Sequence, residues 1–184
     1  MPLMLVIKYI QRRNNMDTFF EQLIKRRKDT KDYVLIAVYA IAAVIALFIL
    51  TTLYAIPLVS MFAIPLQALV IFFAYRLISS RNIEFEYAVT NGDLEIDKIL
   101  NRQKRSKLVS IESKSVEIMV PLGDSRIPAV DEKDIIDATT GNPDADIYCI
   151  VFGETGRKIL LFEPTRRIAD ELKKRNPRNV FLKD

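Results

Sequence analysis

The chain has 184 residues, half of them hydrophobic and 27% charged, with a formal net charge of +4, one cysteine and no histidine. A single cysteine excludes an internal disulfide, and the lack of histidine removes the commonest general base and metal ligand, so an enzyme is a poor reading. The 43 residues from Tyr33 to Tyr75 carry no Asp, Glu, Lys or Arg, whereas the chain after Arg76 is charge-rich, which argues for an anchor plus one small domain.

In chain order, the opening MPLMLVIKYIQRRNN does not read as a signal peptide. Leu3 to Ile7 is too short for its apolar core, no small-residue cleavage site follows, and the basic residues come after it. Met16 begins MDTFFEQLIKRRK, a start in its own right, and translation is expected to begin there, residues 1–15 being an artefact or an optional extension. Asp17 or Thr18 can cap a helix that places Phe19, Phe20, Leu23 and Ile24 on one broad face. Residues 1–32 are therefore expected to form a basic, amphipathic segment lying in a membrane interface.

A bilayer core takes roughly 20 helical residues, so the uncharged run is about twice too long for one crossing. Two crossings fit, roughly Tyr33 to Ala55 and Leu58 to Ser79, making residues 33–79 a transmembrane hairpin. Pro57 suits the turn or the first position of the second helix, because it lacks an amide proton and keeps Ile56 out of helical geometry. Pro65, two turns further in, is expected to kink the second helix near Ser60, Met61 and Gln67. Without an intramembrane charge the two helices cannot line an ion path, and Gln67 reads as a helix–helix hydrogen bond.

Basic residues set the orientation. Lys25, Arg26, Arg27, Lys28 and Lys31 precede the first helix, Arg76 and Arg81 end the second, and the connecting turn is uncharged. Lys and Arg stay on the cytoplasmic side, so both termini are expected in the cytoplasm of a multi-pass inner-membrane protein. Residues 1–32 hold eight basic and four acidic groups, which places the whole net charge beside the bilayer. This juxtamembrane patch reads as a topology signal that also attracts anionic lipid.

Residues 82–184 read mostly as strands. IEFEYAVT alternates Ile83, Phe85, Tyr87 and Val89 against Glu84, Glu86 and Ala88; Asn91-Gly92 is a tight-turn signal; and LEIDKIL returns. KLVSI and SVEIMV are two further strands, and 121–143 is loop with a short strand or helical turn near Val130 to Ile136. IYCIVFG and RKILLFE form a hairpin across ETG, TRRIADELKKR is a helix burying Ile168 and Leu172, and NVFLKD closes the chain extended. The fold class is α+β: a transmembrane helical hairpin followed by a small antiparallel β-rich domain with a C-terminal helix.

Little catalytic chemistry is present. Cys149 lies mid-strand as a small core residue, the five glycines sit at turns, and Asp144 and Asp146 fit a solvated turn better than a metal site. No cofactor is expected. The most suggestive patch is Arg102, Lys104, Arg105 and Lys107, four cations able to hold phosphates of a headgroup or a nucleotide. It contains no aromatic residue to stack a base, so nucleic acid is not an expected partner. Its other reading is a solvated loop balanced by Glu84, Glu86, Glu95 and Asp97.

The strings FEYAVTNGDLEIDKI, the basic residues after it, and KILLFEPTRRIADEL resemble the pleckstrin-homology-like (PH-like) domains that bacteria attach to short membrane hairpins. From Met16 on, the chain is similar to a family of uncharacterised bacterial membrane proteins of that architecture, although NVFLKD departs from a plain ending at the helix. The resemblance implies architecture and no catalytic residue. Its leading functional expectation is a membrane-anchored binding or scaffold module, presenting a cytoplasmic PH-like domain at the inner leaflet to a protein or to anionic lipid headgroups. The alternative is an auxiliary subunit packing through its hairpin against a larger membrane complex, and the last is an enzyme using only carboxylates and lysines.

Overall fold

The computed structural model describes residues 18–153 and 156–183. The expected start at Met16 and the optional residues before it lie outside the described residues.

The first element corrects an expectation. Phe19–Lys25 is a strand, β1, not an amphipathic helix. Positions i and i+4 share a face in both geometries, so Phe20 and Ile24 suit either. The test residues are Phe19 and Leu23, which a helix would bury with them but which stand 60% and 57% exposed. A partner decided the outcome. Strand β2 (Ile83–Thr90) offers an open edge, and β1 pairs along it antiparallel from Phe19↔Thr90 to Lys25↔Glu84. The sheet therefore takes its first strand from before the helical hairpin, and a boundary at residue 82 leaves that strand out.

Helix α1 spans Thr30–Thr51 and opens on a reciprocal capping box: Asp29 caps its first turn while the Asp32 carboxylate accepts the Asp29 N–H. A 3₁₀ turn (Thr52–Ala55) closes it, and Ile56, before Pro57, is extended as a pre-proline residue should be. After a second 3₁₀ turn (Ser60–Phe62), α2 runs Ala63–Ser79. Pro65 thus sits in the first turn of α2, just after the change from 3₁₀ to α geometry. Its missing N–H falls where no intrahelical partner exists, and the turn before it is 3₁₀. Tyr54 donates to Gln67 Oε1 at 3.3 Å, the hydrogen bond between helical segments expected of that glutamine. The stretches Thr30–Ala55 and Ser60–Ser79 are each long and apolar enough to cross a bilayer, and almost none of either is buried within the protein.

Two four-stranded sheets follow. The first is β1-β2-β3-β4, with β3 at Asp93–Leu100 and β4 at Lys104–Ile111, all antiparallel. Asn91 and Gly92, both at positive φ (55° and 94°), form its two-residue β2–β3 turn. The second contains β5 (Val116–Pro121), β6 (Ile135–Asp137), β7 (Tyr148–Phe152) and β8 (Lys158–Phe162) in the order β5-β7-β8-β6, with β6 parallel to β8. Helix α3 (Arg166–Arg175) packs Ile168, Ala169 and Leu172 into the core. The tail then runs beside β5, where Met119 N–H donates to Asn179 O at 2.7 Å and Phe181 N–H to Met119 O at 2.8 Å.

The core lies between the sheets. Tyr87, Val89 and Ile96 from the first meet Met119, Leu160 and Phe162 from the second, all fully buried. Gly92 is constrained twice: a β-carbon there would stand 2.6 Å from Arg175 Cγ on α3, and its φ of +94° strains any L side chain. Gly92→Ala should therefore destabilise the domain by about 2 kcal/mol, read as a shifted denaturation midpoint at unchanged m-value.

Candidate functional site

The β-register brings two basic segments to one end of the protein. β1 arrives at Lys25, β2 leaves from Ile83, and β3 returns to Leu100, opposite Ile83, before β4 starts at Lys104. Asn101 N–H donates to Asn82 O at 2.8 Å and Arg26 N–H to Ile83 O at 3.0 Å. Residues 25–28 and 101–104, far apart in sequence, therefore both lie at the end of the sheet from which the helices depart.

The two segments differ in their partners. Of the patch Arg102, Lys104, Arg105 and Lys107, only Arg102 is in the β3–β4 turn; the other three belong to β4, which begins inside the basic run. Arg102 Nε lies 3.2 Å from the buried Glu84 carboxylate, Arg105 pairs with Glu86 and lies 3.7 Å from Asp97, and Lys107 reaches Glu95 at 2.8 Å. Hydrogen bonds from Lys107 and then Ser110 hold the Glu95 carboxyl below its usual range. Three of the four cations are thus matched by the carboxylates of the solvated-loop reading, now as cross-strand ion pairs. Lys104 has no ion-pair partner among the described residues.

Lys25, Arg26, Arg27 and Lys28 have no carboxylate within ion-pair distance among the described residues. The acids beside them are engaged elsewhere. Asp29 caps α1, and Asp32 accepts from Asp29 and stands 4.0 Å from Arg81. The segment is held against the second sheet: Arg27 N–H donates to Thr140 O at 2.7 Å, and its guanidinium donates to Asn142 Oδ1 at 2.8 Å. A cavity of about 310 Å³ results, lined by Arg26, Arg27, Lys28, Asp29, Asp137, Thr139 and Gly141. Beside it an open concavity of about 600 Å³ is lined by Lys25 to Lys28 and by Tyr33 in the first turns of α1. Sequence reasoning missed the 137–142 loop; its only signal was DATTGN, a run of turn-forming residues.

The remaining candidates resolve simply. Asp146 pairs with Lys183 at 2.8 Å, and the described residues hold no cluster of three or more His, Cys, Asp or Glu side chains placed to bind a metal. Cys149 is fully buried in β7, where desolvation pushes its thiol up to about 11. Desolvation likewise raises the buried Tyr87 phenol above the ordinary tyrosine range. Both groups stay protonated in the folded state while an unfolded thiol ionises from about pH 8.5. Stability from this source is fully present below that pH and is lost as pH rises toward the folded value. The denaturation midpoint should be flat from about pH 7 to 8 and fall between about 9 and 11, less steeply in Cys149→Ala. Thiol reagents should modify Cys149 only in denaturant.

A family model described as Bacterial PH-like domain (DUF6106) matches residues 16–182. No curated protein and no solved structure matches the chain.

Proposed function

The chain belongs to the bacterial PH-like domain family, and on that premise we propose that it is a membrane-anchored, non-enzymatic binding module displayed at the inner leaflet. The observation that carries this reading is the insertion of the helical pair between two hydrogen-bonded neighbours, β1 and β2. Four residues separate Lys25 from Thr30, and three separate Ser79 from Ile83. Two short tethers, instead of one flexible linker, restrict rotation of the sheets against the helices. One end of the first sheet then faces the headgroups, with Lys25 to Lys28, Lys31, Arg76 and Arg81 on the cytoplasmic side. The second sheet and α3 are left for a protein partner. An auxiliary subunit would use the exposed faces of α1 and α2, but lipid covers such faces equally well, and Gln67 is already bonded to Tyr54.

The test is topological. The protein should stay in the pellet after alkaline carbonate extraction, and a reporter fused behind Asp184 should be inaccessible from outside intact cells. Release by carbonate, or an accessible reporter, sinks the reading.

A further inference from the structure

The charge pairing within this fold separates two basic segments that sequence alone ranks the other way. Arg102, Arg105 and Lys107 are neutralised by Glu84, Glu86, Asp97 and Glu95, so a ligand phosphate would have to displace a protein carboxylate at each. Arg26 and Lys28 have no such competitor among the described residues, and Arg27 is bonded to a neutral amide. These three line a formed cavity together with Thr139 and Gly141.

We propose that this cavity is a binding site for a phosphate-bearing anion with hydroxyl groups, supplied by the polyol headgroup of an anionic lipid. The inference rests on the membrane-anchored reading above and deepens it.

The chemistry follows from the lining. Arg26, Arg27 and Lys28 supply guanidinium and ammonium donors, suited to a phosphate diester. Two carboxylates share the lining and keep their charge, leaving three cations against two anions; each is already held as an acceptor, Asp29 by the Thr30 N–H at 2.7 Å and Asp137 by the Thr139 N–H and hydroxyl at 2.9 and 2.8 Å. Their remaining lone pairs accept from hydroxyl groups, which favours a polyol over a bare phosphate. The volume, about 310 Å³, lies at the small end of the range of about 300–1,000 Å³ usual for ligand sites, fitting a headgroup and not a whole lipid. Tyr33, at the start of the apolar α1, lines the adjoining concavity, so acyl chains leaving the cavity run beside an exposed apolar helix. That continuity between a charged cavity and an apolar surface favours lipid over free phosphate as the source.

The full-length protein in nanodiscs containing phosphatidylglycerol and phosphatidylcholine provides the test, with retained lipid counted by native mass spectrometry. The wild type should retain phosphatidylglycerol in preference to phosphatidylcholine. Arg26→Ser with Lys28→Ser should weaken that retention by about thirtyfold. Arg26→Lys with Lys28→Arg should restore most of it, and Arg102→Ser with Lys104→Ser should change it less than threefold. Equal retention by the Arg26/Lys28 variant, or an equal loss in the Arg102/Lys104 variant, overturns the site. Displacement of the lipid by millimolar glycerol 3-phosphate overturns the lipid source. Carbonate release would remove the anchor, whereas an inserted protein without lipid preference removes this cavity alone. All the exchanged side chains are exposed or half-exposed, and unchanged thermal midpoints of the variants separate lost binding from lost folding.

Discussion

Residues 82–184 expressed alone should fail to form a stable domain. Residues 18–28 joined to 81–183 through a short Gly-Ser linker, replacing both helices, should fold cooperatively. The first chain lacks β1, which pairs with β2 over seven residues and packs Phe20 and Ile24 against the core. It also lacks three side-chain links. Thr18 Oγ1 donates to the buried Glu171 at 2.7 Å, Gln22 Nε2 donates to Glu163 O at 2.8 Å, and Gln22 Oε1 accepts the Thr165 N–H at 2.7 Å. Two half-buried apolar side chains, an under-satisfied buried carboxylate and an unpaired helix entry together cost about 5 kcal/mol. A domain of this size holds only about 5–15 kcal/mol in all, and the bare edge of β2 would invite aggregation. The linked chain restores the β1 contacts, and the ends to be joined lie two residues beyond a hydrogen-bonded pair, since Arg26 N–H donates to Ile83 O at 3.0 Å. Dispersed amide spectra and a single denaturation transition for the linked chain alone are the expected outcome. Equal stability of the two chains would contradict the role assigned to β1.

Phe162→Ala should be the most damaging single substitution in the core, costing about 4 kcal/mol. The ring is fully buried on β8 and meets Tyr87 edge-on, with centroids 5.7 Å apart. Tyr87 is the polar bolt between the sheets: its hydroxyl donates to Ala138 O at 2.6 Å and accepts the Glu163 N–H at 3.3 Å. Loss of the ring leaves a cavity on one side of that phenol and frees it to move from both partners. Phe162→Leu fills most of the space and should recover about half of the loss. Denaturant melts of the linked soluble chain measure both. A cost below about 1 kcal/mol for Phe162→Ala would mean that the sheets are not packed through this pair.

Much of the fold was legible where local chemistry decides it. The alternation in IEFEYAVT marks the buried face Phe85, Tyr87 and Val89, Asn91-Gly92 adopts the positive-φ turn, and TRRIADELKKR buries Ile168 and Leu172. The effect of Pro65 depends on where the helix begins, and α2 begins at Ala63. FFEQLIK was misread because its apolar spacing satisfies two periods at once. Only the open edge of β2, 59 to 71 residues away in the pairing, selects between them.

The candidate site divides along the same line. Both basic clusters were visible as residues, but the rank between them depends on which carboxylates stand across the strands. Glu84, Glu86 and Glu95 reach β4 and its turn through the antiparallel register, whereas no described acid pairs with 25–28. The contribution of the 137–142 loop depends on a sheet-to-sheet contact through Arg27.

By itself, then, the sequence determined the two apolar spans, because transfer into a bilayer is nearly a sum over consecutive residues. It also determined the tight β2–β3 turn, because φ preference is a property of the residue in place. Only the tertiary structure decided that the helical pair interrupts a sheet, which cations are neutralised, and which cavity remains charged. Strand pairing and charge compensation are interactions between distant segments, and no local pattern encodes the register that brings those segments together.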